Sequence, residues 1–306
     1  MKKLILLIAI IAGTCWLGNA QIEPTKEMME FYTPKWEGER EEGGRPIVSD
    51  DLLDRLLNLS IEEAWGVLRG EGYHNQFEGG WETINDIPFV GRALTVQYSP
   101  NRPEINEQLM KLGEEQGRIG ASNSWPIDML KERDVYVADG FGKVIDGTLI
   151  GDNLGNSIYA KSKTGVIFDG SARDLEGLSK IEGFNAFTRG FDPSYIAEMN
   201  MTGINVPIRI GRASVMPGDV VLAKREGVIF IPAHLVQKVV ITGEFIGLRD
   251  KFGHQKLREG VYTPGQIDGK WSDDIKQAFL KWLDDNEDAL PMSRKELDEY
   301  MKNRTW

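Results

Sequence analysis

From Pro88 to Pro232 the sequence is a series of short apolar runs punctuated by glycine, and this texture constrains the fold more than any other feature of the 306-residue chain. Residues 93–98 (ALTVQY) alternate apolar and polar side chains, the period of a half-buried strand. Residues 135–138 and 165–168 are apolar runs that each end in Asp-Gly, as strands covered on both faces do. Residues 206–210, 220–222 and 227–232 continue the series. Helical periodicity intervenes at about 104–117, 154–163, 174–181 and 193–201. Short strands of about five residues mixed with helices predict an α/β domain.

The flanks read differently. Residues 21–50 mix Pro, Glu, Gly and Trp without periodicity and predict an extended arm lying on the body or on a neighbouring subunit. Asp50 and Asp51 predict the cap of a helix with Leu52, Leu53, Leu56 and Leu57 on one face. Ser60 followed by Glu63 is a capping box that opens a second helix. Beyond a body at 51–265, residues 266–306 predict a C-terminal helical extension built on SDDIKQAFLKWLDD and SRKELDEYMK.

Residues 1–20 combine Lys2 and Lys3, an apolar stretch and the small residues Gly18 and Ala20, which predicts a cleavable secretory signal and a periplasmic or secreted protein. Cys15, the single cysteine, falls inside that segment, and its context makes a poor lipoprotein signal. Cleavage would leave no thiol for a disulfide, a zinc site or a nucleophile. The remaining sequence has no membrane-length apolar run. With a net charge of −11 and no Lys/Arg-rich block, a nucleic-acid partner is not expected.

Most catalytic templates fail. His74, His234 and His254 lie far apart, with no HExxH or HxH arrangement, and read as structural or solvated. There is no G-x-S-x-G elbow and no Walker loop. The run from Asp139 to Gly147 (DGFGKVIDG) opens like a dinucleotide fingerprint, but Ile145 takes the third glycine position, so a tight loop accounts for it. Two acidic turns are left. Gly151-Asp152-Asn153-Leu154-Gly155 precedes a helical stretch, so the amides of Asn153, Leu154 and Gly155 could bind an anion, or Asp152 could be a simple N-cap. Arg173-Asp174 stands at a strand end, either as a surface ion pair or as two groups contacting one ligand from different sides. Adjacent side chains diverge, which favours the second reading over mutual pairing.

The segment GDNLGNSIYAKSKTGVIFDGSARD resembles the signature of the RraA-like family, in which an acidic residue, twenty residues and Arg-Asp follow in order. Asp152 and Arg173-Asp174 meet that spacing. LSIEEAWGVLRG, PFVGRALTVQY, RDVYVADGFGKVIDGTLIGD, the TRG of 188–190 and MPGDVVLAKREGVIFIP extend the resemblance over about 52–260. The arm, an insertion around 101–133 and the C-terminal helices fall outside it. Two departures stand out. Gly177 occupies a position that is usually acidic in aldolase members, with Glu176 one earlier, and Asn153 and Gly155 replace the Leu and Ala of a Gly-acid-Leu-Leu-Ala loop.

The resemblance implies a layered, swivelling β/β/α-type domain assembled as a homotrimer or hexamer. It also implies a lyase acting on a small 2-oxo acid, by retro-aldol cleavage or decarboxylation, through a pyruvate-type enolate. A divalent cation, Mg2+ or Mn2+, would be anchored by Asp174, with Arg173 on the developing oxyanion and Asp152 positioning a water. The amides of Asn153, Leu154 and Gly155 would bind the substrate carboxylate, and Glu244 or Asp250 would be donated to a neighbouring subunit's site. The same family includes a ribonuclease regulator, so a non-catalytic binding scaffold is the alternative. A sugar-derived substrate, such as an oxidised sugar or uronate, is a variant of the first reading.

Overall fold

The computed structural model describes residues 22–302, so the secretory-signal expectation for residues 1–20, and Cys15 with it, lies outside the described residues. The chain opens with α1 (Lys26–Tyr32), α2 (Asp50–Leu57), α3 (Ile61–Gly70) and two short strands, β1 (Phe77–Glu78) and β2 (Glu82–Thr83). The body follows with β3 (Phe89–Pro100), α4 (Pro103–Glu115), a 3-10 turn (Ser122–Ser124), α5 (Trp125–Met129), β4 (Asp134–Ile150), α6 (Asp152–Ser162), β5 (Val166–Ala172) and α7 (Leu175–Ser179). Seven strands come next: β6 (Ala186–Thr188), β7 (Gly190–Phe191), β8 (Met199–Ile204), β9 (Ile208–Ile210), β10 (Ala213–Val215), β11 (Val220–Lys224) and β12 (Gly227–Ile231). The helices α8 (Val236–Arg258), α9 (Pro264–Ile267), α10 (Asp273–Asp285) and α11 (Arg294–Lys302) close the described chain.

A mixed sheet runs β1-β12-β11-β3-β4-β5-β6-β2, with β8 added on β3 and β7 on β5. Its centre, β3-β4-β5-β6, is parallel, and β11 and β12 extend it antiparallel. Successive side chains of a strand face opposite sides of a sheet, and the core divides accordingly. Val135, Val137, Ile167, Val221 and Phe230 face one side, where the separate β9–β10 hairpin contributes Ile208, Ile210, Ala213 and Val215. Tyr136, Ala138, Val166 and Phe168 face the other side and pack with Ile158 of α6 and Leu178 of α7. Farther along that side, Val220, Leu222, Ile229 and Ile231 pack on α2, α3 and α8. The result is a sheet with a β layer on one face and helices on the other, the layered α/β class expected.

Several local expectations change. The arm is not wholly extended: α1 forms in it, capped by Thr25 Oγ1 accepting from the Met28 amide at 3.3 Å. Arg45 then pins the arm to the body through Asp134 at 2.7 Å. Ser49, not Asp50 or Asp51, is the N-cap of α2. The two acids sit in its first turn, where they meet the positive end of the helix, and Asp50 also takes a bond from Arg92. The Ser60–Glu63 capping box is present in both directions. The expected helix at 193–201 is instead a loop leading into β8, a largely buried strand that pairs antiparallel with β3. β3 and β4 are far longer than five residues. The DGFGKVIDG run is an excursion within β4, with left-handed backbone at Phe141, Gly142 and Asp146 and a shifted register against β5.

The longest helix, α8, had no counterpart in the sequence reading, because both its sides are covered and no single apolar stripe stands out. Phe245, Leu248 and Phe252 on it join Trp271, Ile275, Phe279, Leu283 and Leu297 in a separate core. The C-terminal helices are docked on α8 through that core.

Candidate active site

β4 and β5 are parallel neighbours that end side by side, and the chain turns into a helix after each. The open ends of parallel strands are where α/β folds place ligands. The Arg173 amide donates to the Ile150 carbonyl at 3.0 Å, so the residue after β5 is stitched to the end of β4. Gly151 then turns the chain into α6 and Asp174 turns it into α7. Asp152, Asn153, Leu154, Arg173 and Asp174 all line one pocket of about 380 Å³.

Asp174 has φ 56° and ψ 41°, a left-handed conformation that costs an ordinary side chain energy and is best tolerated by Asn, Asp and Gly. This backbone brings its carboxylate back beside Arg173, and Arg173 Nε lies 3.3 Å from Asp174 Oδ2. The two residues therefore do pair, contrary to the expectation from adjacency. They also remain 41% and 45% exposed, so both reach the pocket. Arg173 Nη1 donates to the Ser194 carbonyl at 3.2 Å, which fixes the guanidinium from its far side.

Asp152 is the first residue of α6, and Gly151 is its N-cap. Its Oδ1 accepts from the Asn153 amide at 2.8 Å, and its Oδ2 lies 2.6 Å from where a Cβ on Gly177 would stand. Gly177 thus makes room for this carboxylate, which gives the absent acid at 177 a steric reason. Glu176 does not replace that acid, because it is exposed and paired with Lys180 at 2.8 Å. The three amides of the expected anion site are differently placed. The Gly155 amide closes the first helical turn on Gly151 O at 2.9 Å, and Gly155 packs on Leu178, away from the pocket lining. Leu154 is the one of the three whose amide has no recorded protein acceptor among the described residues.

The carboxylates expected in trans separate. Glu244 is buried in α8 and accepts from Arg55 Nε at 2.9 Å and Nη2 at 2.6 Å, so its own subunit consumes it. Asp250 is exposed on α8 and adds its charge to the surroundings of Glu63, whose carboxyl is raised first by burial. His74 and His234, distant in sequence, line a second cavity of about 450 Å³ with Tyr73 and Asp219.

Among the described residues no cluster of three or more His, Cys, Asp or Glu side chains is placed to enclose a metal. The pocket's donor set still suits a hard divalent cation, which keeps several waters and needs one or two carboxylates. Gly151 supplies the space: a Cβ there would overlap the Asp174 carboxylate. Sequence reasoning missed Asn123, Tyr195 and Ile196 on the pocket wall. No local pattern marks them, since they arrive from the 3-10 turn and from the loop before β8.

Fold and pocket define a layered α/β protein with carboxylates and an arginine gathered at the ends of two parallel strands. The chain belongs to the RraA-like family (Aldolase/RraA), whose model matches residues 49–230. Protein DlpA of Legionella pneumophila is 27% identical over 195 residues, 62% of this chain and 29% of that protein. The 4-hydroxy-4-methyl-2-oxoglutarate aldolase of Thermus thermophilus is 28% identical over 108 residues, 33% of this chain and 65% of the enzyme. The chain therefore spans less than two thirds of the length of both relatives. The crystal structure of Streptomyces coelicolor RraAS2, described as an unusual member of the RNase ES inhibitor RraA protein family, aligns with TM-score 0.59 at 22% identity. That alignment covers 69% of this chain and 100% of RraAS2. No described helix is long and apolar enough to cross a membrane.

Proposed function

We propose that the pocket cleaves a carbon–carbon bond in a 2-oxo acid, by retro-aldol reaction or decarboxylation, through the enolate of pyruvate. The observation that carries this reading is the meeting of Asp152, Arg173 and Asp174 in one pocket at the ends of β4 and β5. The aldolase named among the relatives supports it. Arg173, held by Ser194 O and Asp174, donates to the substrate oxygen on which negative charge accumulates, the place where a fixed donor lowers a barrier most. The Leu154 amide at the start of α6 binds the substrate carboxylate. Asp152, steadied by the Asn153 amide, orients a water that carries the proton. Asp174 would hold a Mg2+ or Mn2+ ion, which when bound supplies Lewis-acid polarisation of the 2-oxo group.

Residues 1–20 support export to the periplasm or beyond, and the family supports a homotrimer or hexamer in which Asp250 remains the exposed carboxylate of the two expected in trans. The test is pyruvate release from oxaloacetate and 4-hydroxy-2-oxo acids with and without Mg2+. Release that depends on the cation and is abolished by chelation is expected. Absence of release from every 2-oxo acid tried would leave a binding scaffold as the better account.

A further inference from the structure

Asn123, on the 3-10 turn from the insertion, lines the pocket and is only 7% exposed. Its Nδ2 donates to the Leu149 carbonyl at 2.5 Å. A carbonyl can only accept, so this bond sets the orientation of the amide and turns Oδ1 away from β4. Among the described residues no donor to that Oδ1 is recorded. Successive carbonyls of a strand point to opposite edges. Leu149 O holds Asn123 while Ile150 O holds the Arg173 amide, so the two side chains approach the pocket from opposite edges of β4.

The charges around the pocket are lopsided. Arg173 is its one cation among the described lining residues, against Asp152 and Asp174. A substrate with one carboxylate and one developing oxyanion already claims the positive groups. With Asp174 committed to the cation, a second carboxylate would face Asp152 and the neutral amide of Asn123, with no further cationic side chain among the described lining residues. Asn153, which also lines the pocket, and the 68% exposed Tyr195 are neutral residues with hydrogen-bonding side chains.

We infer that the site takes a 4-hydroxy-2-oxo acid with a single carboxylate and a hydroxylated tail, and that Asn123 Oδ1 accepts from a tail hydroxyl. This rests on the reading under Proposed function and specifies its substrate. The reaction balances without a redox partner. A base removes the proton of the C4 hydroxyl, C4 becomes a carbonyl as the C3–C4 bond breaks, and that electron pair passes to the C2 oxygen as an enolate. A proton then returns to C3, giving pyruvate and a hydroxyaldehyde. Asn123 is a specificity residue in this scheme, because its amide neither gives nor takes the transferred proton.

The experiment compares kcat/KM for pyruvate release, in Mg2+, from a 4,5,6-trihydroxy-2-oxohexanoate and from 4-hydroxy-2-oxoglutarate, for the full chain and for Asn123→Leu. A preference of at least about tenfold for the hydroxylated monocarboxylate is expected, and Asn123→Leu should reduce it by about tenfold or more through KM. Equal or better use of the dicarboxylate, or equal losses on both substrates in Asn123→Leu, overturns the inference and leaves the lyase reading standing. No pyruvate from either compound overturns the inference, and no release from oxaloacetate as well overturns the lyase reading with it. Melting temperature monitors folding, and if Asn123→Leu does not fold, the smaller Asn123→Ala, which removes the same acceptor, makes the same comparison with the same expected outcomes.

Discussion

Arg173 and Asp174 show how much one backbone conformation can decide. The left-handed turn at Asp174 places its carboxylate both against the guanidinium and within the pocket. Asparagine tolerates that conformation nearly as well, so Asp174→Asn separates charge from shape. It should lower kcat at least about a hundredfold while shifting the melting temperature little. Arg173→Ala should lose a comparable factor, because the oxyanion donor goes with it. Steady-state kinetics beside a thermal melt decides both, and full activity in either variant removes that residue from the mechanism. These two residues and Asp152 are marked in the sequence by the strand-to-helix transitions around them and by the spacing they share with the family they resemble. The role of Gly177 was not, since its requirement is the space that Asp152 occupies from another element.

At the scale of elements, capping is local and was readable. Ser60 Oγ accepts from the Glu63 amide at 3.1 Å, and the Ser60 amide donates in return to Glu63 Oε2 at 2.7 Å. Ser60→Ala should cost about 1 kcal/mol in denaturant unfolding, with pyruvate release unaffected. The docking of α10 on α8 is tertiary. Phe279 is fully buried among Phe245, Phe252 and Trp271. Phe279→Ala should cost about 3–5 kcal/mol, and a cost below about 1 kcal/mol would mean that the C-terminal helices are loosely attached. The start of β8, residues 199–201, falls inside the helix expected at 193–201 for a related reason: what makes it a strand is the edge of β3 with which it pairs.

For the whole molecule, the sharpest expectation concerns acidity. Asp219 is buried just before β11, and burial pushes its carboxyl up to about 7 despite the Met216 and Ala233 amides that favour its charged form. Its folded value thus lies above its unfolded one, so between about pH 4 and 7 the folded state holds a proton that the unfolded state has lost. Stability from this group is full below about pH 4, falls as pH rises toward 7, and is flat beyond. Asp219→Asn, which mimics the protonated form, should flatten that slope and be the more stable protein at pH 8. Denaturant midpoints from pH 4 to 8 test this, and parallel profiles for the two proteins would refute it.

The amino-acid sequence by itself determined the class of fold and singled out residues that the fold brings into one pocket. Apolar runs, capping residues and the Asp152-to-Arg173 spacing act over a few residues or along one strand–helix–strand unit, and such signals survive without a partner. Only the tertiary structure decided that Glu244 is consumed by Arg55, that Gly155 packs inward, that β8 pairs with β3, and that Asn123 is tied to the Leu149 carbonyl at the pocket wall. Each of those outcomes depends on a group distant in sequence that arrives only when the sheet has assembled. A side chain's role there is set by which neighbour can satisfy its hydrogen bonds or fill its space.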